Sequence, residues 1–161
     1  MLLSKLKNFF TAHKRAVITV LLIAGIDRVT KVLALELLRP KGGVEIFKYF
    51  HLTYVENTGM AFGMFQNANL PLAILMIIVI IFIIVSWKEL AAARPPLGEL
   101  GATLILGGAI GNLYDRIVLG YVVDFLDFRV WPVFNAADSF ICIGAALLAL
   151  AIFLHKPAEG K

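Results

Sequence analysis

The chain has 161 residues and a single cysteine, Cys142, which excludes an intramolecular disulfide. Charge is scarce as well. Asp, Glu, Lys and Arg make up 16% of the residues, against about 25% in soluble domains. From residue 57 to residue 87 no side chain is charged. That poverty excludes an ordinary soluble globule and a disordered chain. The three histidines, His13, His51 and His155, are scattered without metal-ligand spacing. There is no glycine-rich phosphate loop, and Ser139 lacks a G-x-S-x-G context. No metal and no cofactor are expected. Internal repeats and low-complexity segments are absent.

What is present is apolar. Hydrophobic residues make up 60% of the chain, with a mean hydropathy of +0.88. This is the composition of a protein that lives in a bilayer. At about 20 residues per membrane helix, the length excludes a large transporter. The formal net charge is +4. In a soluble chain it would suggest nucleic acid. Here it reads as basic residues at cytoplasmic membrane edges, and no nucleic-acid partner is expected.

Four apolar runs predict four transmembrane helices, over about 16–38, 70–87, 97–117 and 136–154. Together they form one membrane-embedded domain spanning residues 1–161. The basic N-terminus before the first run resembles a signal peptide. No small-x-small cleavage site follows, however, and apolar character resumes beyond Asp27, Arg28 and Lys31. Ile26 stands where a lipobox would need cysteine. Four spans put both termini on one side. That side, with the 88–96 loop, holds eight Lys/Arg, and the opposite loops hold five. The excess predicts cytoplasmic termini, with loops 39–69 and 116–136 outside. Residues 44–65, rich in aromatic and β-branched side chains, read as short strands. Asn57, Thr58 and Gly59 read as a turn. The 119–134 loop is similarly aromatic. Cys142, in an apolar helix without a nearby histidine, reads as packing.

Ionisable residues inside such spans are functional candidates. Asp27 and Lys31 share a helix face in the favourable acid-first order, and a self-neutralising structural pair is the plainer reading. Gly107 and Gly111 form a small-xxx-small pattern suited to close helix packing. Asn112 and Arg116 share a face that would bind peptide carbonyls or a lipid headgroup. The plainer alternative is an interfacial anchor, with Asp115 as the counter-ion of Arg116. Asp138 at the mouth of the fourth span reads as an N-cap. Asp124 is flanked by apolar residues on both sides, an odd composition for a loop. Two carboxylates in apolar surroundings at one membrane face are harder to explain by capping alone. If close, they cannot both ionise readily. One would take a proton from water and the other would polarise a carbonyl, giving amide hydrolysis without metal. They are 14 residues apart, and a loop returning through Pro132 would bring them together.

Five segments carry a family resemblance: DRVTK at 27–31, NTGMAFG at 57–63, GGAIGNLYDR at 107–116, VVDF at 122–125 and FNAADS at 134–139. In this order and spacing they resemble lipoprotein signal peptidase (signal peptidase II), the bacterial aspartic peptidase family of the inner membrane. The resemblance implies an α-helical integral membrane protein of four transmembrane helices. A small extracytoplasmic β-cradle and an outer loop over the active site complete the fold. It implies Asp124 and Asp138 as catalytic dyad, and Asn57, Gly59, Asn112, Arg116 and Asn135 as substrate- or inhibitor-binding positions. Asp27, Lys31 and Asp115 are implied as structural support. The substrate would be a diacylglyceryl-prolipoprotein cut before its lipidated cysteine. Membrane lipid would be a partner and globomycin an inhibitor. The protein would be a monomer of the bacterial cytoplasmic membrane, with its active site toward the outer face. The segment near residues 57–63 is expected to move to admit substrate. A small four-helix proton-coupled exporter is the alternative, and a non-catalytic scaffold contacting through Gly107 and Gly111 is a third reading.

Overall fold

The computed structural model describes residues 13–59, 64 and 66–155. The chain is mainly helical, with one small antiparallel sheet. Helix α1 spans Lys14–Leu37. Strands β1, Gly43–Phe47, and β2, Phe50–Asn57, form a hairpin. Helix α2 spans Asn69–Val85, and the short α3 spans Trp87–Ala92. Helix α4 spans Leu97–Val118. Strand β3, Val122–Asp127, returns to pair with β2, giving the order β1-β2-β3. Helix α5 spans Ala136–Phe153.

The second expected run is shorter than its hydropathy suggests. It ends at Val85, and Ser86 separates it from α3. Residues 88–92, expected as loop, are helical. Lys88, Glu89, Leu90 and two alanines are good helix formers. Trp87 also anchors the turn, buried with Ala16, Ile83, Ala102 and Ile105. Its Nε1 donates to His13 Nδ1 at 3.2 Å.

Helix α1 is inside-out by the standards of a soluble protein. Its buried residues, Ala16, Val20, Ile23, Asp27, Lys31 and Ala34, recur at helical spacing on one face. Leu21, Leu22, Val29 and Leu37 on the other faces are exposed. Asp27 and Lys31 therefore point inward and these apolar side chains outward. Among the described residues, α5 is the helix that is long and apolar enough to cross a membrane by length and composition.

Helix α4 is the centre of the molecule, packed against α1, α2, α3 and α5. Glycine lets its neighbours come close. A Cβ at Gly107 would strike Ile23, and one at Gly111 would strike Asp27. The expected small-xxx-small contact thus exists and its partner is α1. Gly101 and Gly144 bring α4 and α5 backbone to backbone in the same way. Strand β3 lies over the end of α1, with Val123 and Phe125 packed on Ala34 and Leu38. It is buried along almost its whole length.

Candidate active site

Of the seven largest fully buried side chains among the described residues, six are polar: Lys31, Asn112, Asn135, Asp27, Asp115 and Asp124. Buried polar groups are costly unless they are partnered. Here they are partnered with one another, and they lie where α1, α4, β3 and the start of α5 meet.

Lys31 Nζ is the hub. It meets Asp27 Oδ2 at 2.8 Å, Asp115 Oδ2 at 3.1 Å and Asn112 Oδ1 at 2.8 Å. Three acceptors match the three protons of an ammonium group. The two acids reach further. Asp27 Oδ1 accepts from the backbone N–H of Ala137 at 2.9 Å, taking up a free donor at the start of α5. Asp115 Oδ2 also accepts from the Val123 N–H at 3.2 Å, pinning β3. Arg28 approaches Asp115 Oδ1 at 3.4 Å. One ion cluster therefore anchors both elements that carry the two remaining acids. The ion pairs of Asp115 are to Lys31 and Arg28, and none joins it to Arg116 among the described residues. Consecutive helical residues point about 100° apart, and Asp115 turns to α1.

Asn135, not Asp138, is the N-cap of α5. Its Oδ1 accepts from the Asp138 N–H at 2.9 Å, and Asp138 Oδ2 accepts from the Asn135 N–H at 3.2 Å. This reciprocal capping box places the acid at the third helical position. Ser139 Oγ donates to the Asn135 carbonyl at 3.0 Å. Asp138 Oδ1 accepts from Asn112 Nδ2 at 2.7 Å. Asp124 is held from two sides. Asn135 Nδ2 donates to its Oδ1 at 2.7 Å, and Asn57 Nδ2 donates to its Oδ2 at 2.8 Å. Asn135 Nδ2 also reaches Asn112 Oδ1 at 3.1 Å.

Asp124 and Asp138 line one cavity of about 780 Å³. Asn57, Gly59, Asn112 and Arg116 line it too, while Asn135 acts behind the two acids. Its apolar wall is Leu72, Leu75 and Met76 of α2, and its cover is the segment from Phe128 to Phe134. Burial first, and then the negative charge of Asp138, push the Asp124 carboxyl up to about 7. Hydrogen bonds from Asn57 and Asn135 and the charge of Lys31 oppose that rise. A buried carboxyl near neutrality can hold or release a proton at working pH.

Arg116 Nη2 donates to the Gly59 carbonyl at 2.8 Å, and Nη1 donates to Asn69 Oδ1 at 3.2 Å. Its Nε is buried without a hydrogen-bond partner among the described residues. Gly59 N–H in turn donates to Asn57 Oδ1 at 2.9 Å. Asn69, which also donates to the Arg116 carbonyl at 2.9 Å, was not expected at the site. It is the polar residue that opens an otherwise apolar α2, a signal the sequence did carry. Cys142 does not serve as core packing: it is exposed and faces the cavity one turn beyond Asp138. Residues 60–63 of the expected mobile segment lie outside the described residues. Among the described residues no cluster of His, Cys, Asp and Glu could hold a metal ion.

Buried acids and amides round a largely apolar cavity, beside a small sheet, have parallels in known proteins. The chain is similar to two solved structures, both described as a bacterial membrane enzyme. One has a TM-score of 0.80 at 26% identity, covering 92% of this chain and 95% of the other. The second has a TM-score of 0.77 at 26% identity, covering 89% and 95%. Residues 19–154 match the family model described as signal peptidase (SPase) II. The lipoprotein signal peptidase of Caldanaerobacter subterraneus is 48% identical over 141 residues, covering 86% of this chain and 96% of its own. That of Halothermothrix orenii is 43% identical over 140 residues, covering 86% and 95%. The chain belongs to the signal peptidase II family, and that membership makes it a protease.

Proposed function

We propose that this chain is an aspartic endopeptidase that removes the signal peptide from diacylglyceryl-modified prolipoproteins, cutting before the lipidated cysteine. Asp124 and Asp138 are its catalytic dyad. The observation that carries this reading is their common cavity, in which every carboxylate oxygen accepts a hydrogen bond. The dyad works with one proton between two acids, and its apparent pKa values belong to the pair. The ionised acid takes a proton from water, and the resulting hydroxide attacks the scissile carbonyl carbon. The protonated acid gives its proton to the carbonyl oxygen. The tetrahedral diol then collapses, the C–N bond breaks, and a proton passes to the departing cysteine nitrogen. No metal or covalent intermediate is required. Asn57, Gly59, Asn112, Arg116 and Asn135 line or brace the substrate site. Asp27, Lys31 and Asp115 hold the elements beneath it.

The chain crosses the inner membrane four times as one domain, through α1, α2 (continued by α3), α4 and α5. At about 1.5 Å per residue, the 24 residues of α1 and the 22 of α4 reach across a hydrocarbon core about 30 Å thick. Outward leucines on α1 and the inward pair Asp27 and Lys31 support a lipid surroundings. The excess of Lys/Arg supports cytoplasmic termini. The sheet and cavity then face the outer side, level with the lipid-modified cysteine of a substrate anchored there. Apolar α2 residues in the cavity wall suit the acyl chains, and the protein acts as a monomer inhibited by globomycin.

The test is cleavage of a purified diacylglyceryl-prolipoprotein by the wild type, Asp124→Asn and Asp138→Asn, with and without globomycin. Globomycin-sensitive cleavage lost in both variants is the expected result. Cleavage retained in either variant overturns the dyad. A folded wild type that does not cleave returns the exporter reading to first place.

A further inference from the structure

Three asparagine amides face the two acids, and an amide can present either its nitrogen or its oxygen. Only the nitrogen end donates to a carboxylate. What holds each amide the right way round is visible at its oxygen. Asn57 Oδ1 accepts from the Gly59 backbone N–H, and Asn135 Oδ1 accepts from the Asp138 backbone N–H. Backbone donors cannot turn round. Among the described residues Asn112 has no such backbone donor. Its Oδ1 accepts from Lys31 Nζ at 2.8 Å and from Asn135 Nδ2 at 3.1 Å. The ammonium is the stronger constraint, because it has donors and no acceptor.

We propose that Lys31 is a positioning residue for the hydrolysis: its ammonium locks the Asn112 amide with nitrogen toward Asp138. This rests on the reading of Asp124 and Asp138 as the dyad. Lys31 itself does not touch the cavity; Asn112 does. The other two bonds of the ammonium, to Asp27 and Asp115, hold it at one place. If the Asn112 amide turned over, its oxygen would meet Asp138 Oδ1 across the present 2.7 Å bond. Two acceptors at that distance repel, and Asp138 would have to keep a proton to stay there. The dyad would then lose its shared-proton arrangement while the apolar walls of the cavity stayed as they are. Catalytic turnover should suffer and substrate affinity should not. A lysine that only balanced two buried acids would give another pattern. Its loss would reduce the amount of folded protein, and any effect of its charge on the dyad would cost the same factor with or without the Asn112 amide.

The experiment uses full-length protein in detergent micelles with diacylglyceryl-prolipoprotein as substrate, rates being referred to folded protein. Lys31→Met is compared with Asn112→Ala and with the two combined. Asp27→Asn combined with Lys31→Met is a second background, since it leaves no unpartnered acid at position 27. The expected result is a loss of about 100-fold in kcat with KM within about twofold. Most of the loss should be absent when Lys31→Met is added to Asn112→Ala, because the two residues act chiefly through one bond. A folded Lys31→Met variant with kcat within about threefold of wild type overturns the proposal. So do losses that multiply in the combined variant. Failure of both lysine variants to fold assigns Lys31 to folding and overturns it equally. A wild type that does not cleave, or an Asp124→Asn variant that does, instead breaks the dyad reading.

Discussion

Asn57 stands opposite Val122 in the register of β2 and β3, yet its side chain crosses diagonally to Asp124, two residues along the neighbouring strand. Such diagonal pairs lie within reach of one another on an antiparallel sheet. The irregularity between Leu52 and Val55 shifts the pairing before this point. The sheet thus supports the site directly, by presenting an amide to an acid.

Removing that amide should be felt at Asp124. The Asn57 bond favours the charged carboxylate, so Asn57→Ala raises a pKa already near 7. The alkaline limb of kcat against pH is expected to move to higher pH, with a loss of roughly tenfold at the optimum. A pH–rate profile of wild type and variant checks both. A limb that moved to lower pH would refute the assignment of this donor.

The same acid should leave a mark on stability. Its folded pKa lies above the unfolded value of 3.8. Between those values the native state holds a proton that the unfolded state has released. Stability therefore falls as pH rises through that window. The thermal midpoint in micelles is expected to be lower at about pH 8 than at about pH 5. In Asp124→Asn that part of the slope should vanish. Equal slopes would place the raised pKa elsewhere.

Two glycines of different surroundings make a packing test. A Cβ at Gly111 meets Asp27, whose carboxylate is already bonded to Lys31 and the Ala137 N–H. Gly111→Ala should cost roughly 2–4 kcal/mol. Gly25, on α1, has nothing within 4 Å of a Cβ. Gly25→Ala should be neutral or stabilising by up to about 1 kcal/mol, through helix propensity. Unfolding midpoints of the two variants, expected to move in opposite directions, would decide.

Cys142 offers a chemical probe. It is exposed to the cavity one helical turn from Asp138. A bulky membrane-permeant maleimide should abolish cleavage by the wild type and spare Cys142→Ser. Substrate or globomycin should slow the labelling. Full activity after complete labelling would remove Cys142 from the substrate's path.

The helices were legible because long apolar runs admit few alternatives, and α4 and α5 start where the runs do, at residues 97 and 136. The break at Ser86 was hidden because apolar character continues to Trp87. Strand β3 looked like an odd loop because both of its faces are covered, so it shows no alternation between apolar and polar residues. Asp27, Lys31, Asn112, Asp115, Arg116, Asp124 and Asp138 stand out as ionisable or polar groups in apolar surroundings, whereas Asn57, Gly59 and Asn135 are pointed to only by the family resemblance and Asn69 is not pointed to at all. The pairing of these residues does not stand out. Asp115 meets a lysine 84 positions away and Asp27 meets the N–H of residue 137. Only the close approach of α1 to α4 and α5 brings such groups together. The sequence points to Asp138 as the cap, three residues past Asn135, because both residue types are favoured there and a capping box uses the two at once.

Glycines on two sides of α4 have a consequence for how the cavity can change size. Gly107 and Gly111 are filled by α1, while Gly101 and Gly108 are filled by α5. A slip of one residue along either seam would drive a side chain into a backbone. Helices α1, α4 and α5 therefore behave as a single interlocked frame with Asp27, Asp115 and Asp138 built into it and β3, which carries Asp124, pinned to it by the Asp115 bond. Helix α2, tied to α4 by the Asn69–Arg116 hydrogen bonds, and the 128–134 segment, tied to β3 by backbone bonds at Phe134, form the remaining walls. On the proposed reading, a guest of larger girth would press on α2 and the 128–134 segment rather than on the glycine-locked helices.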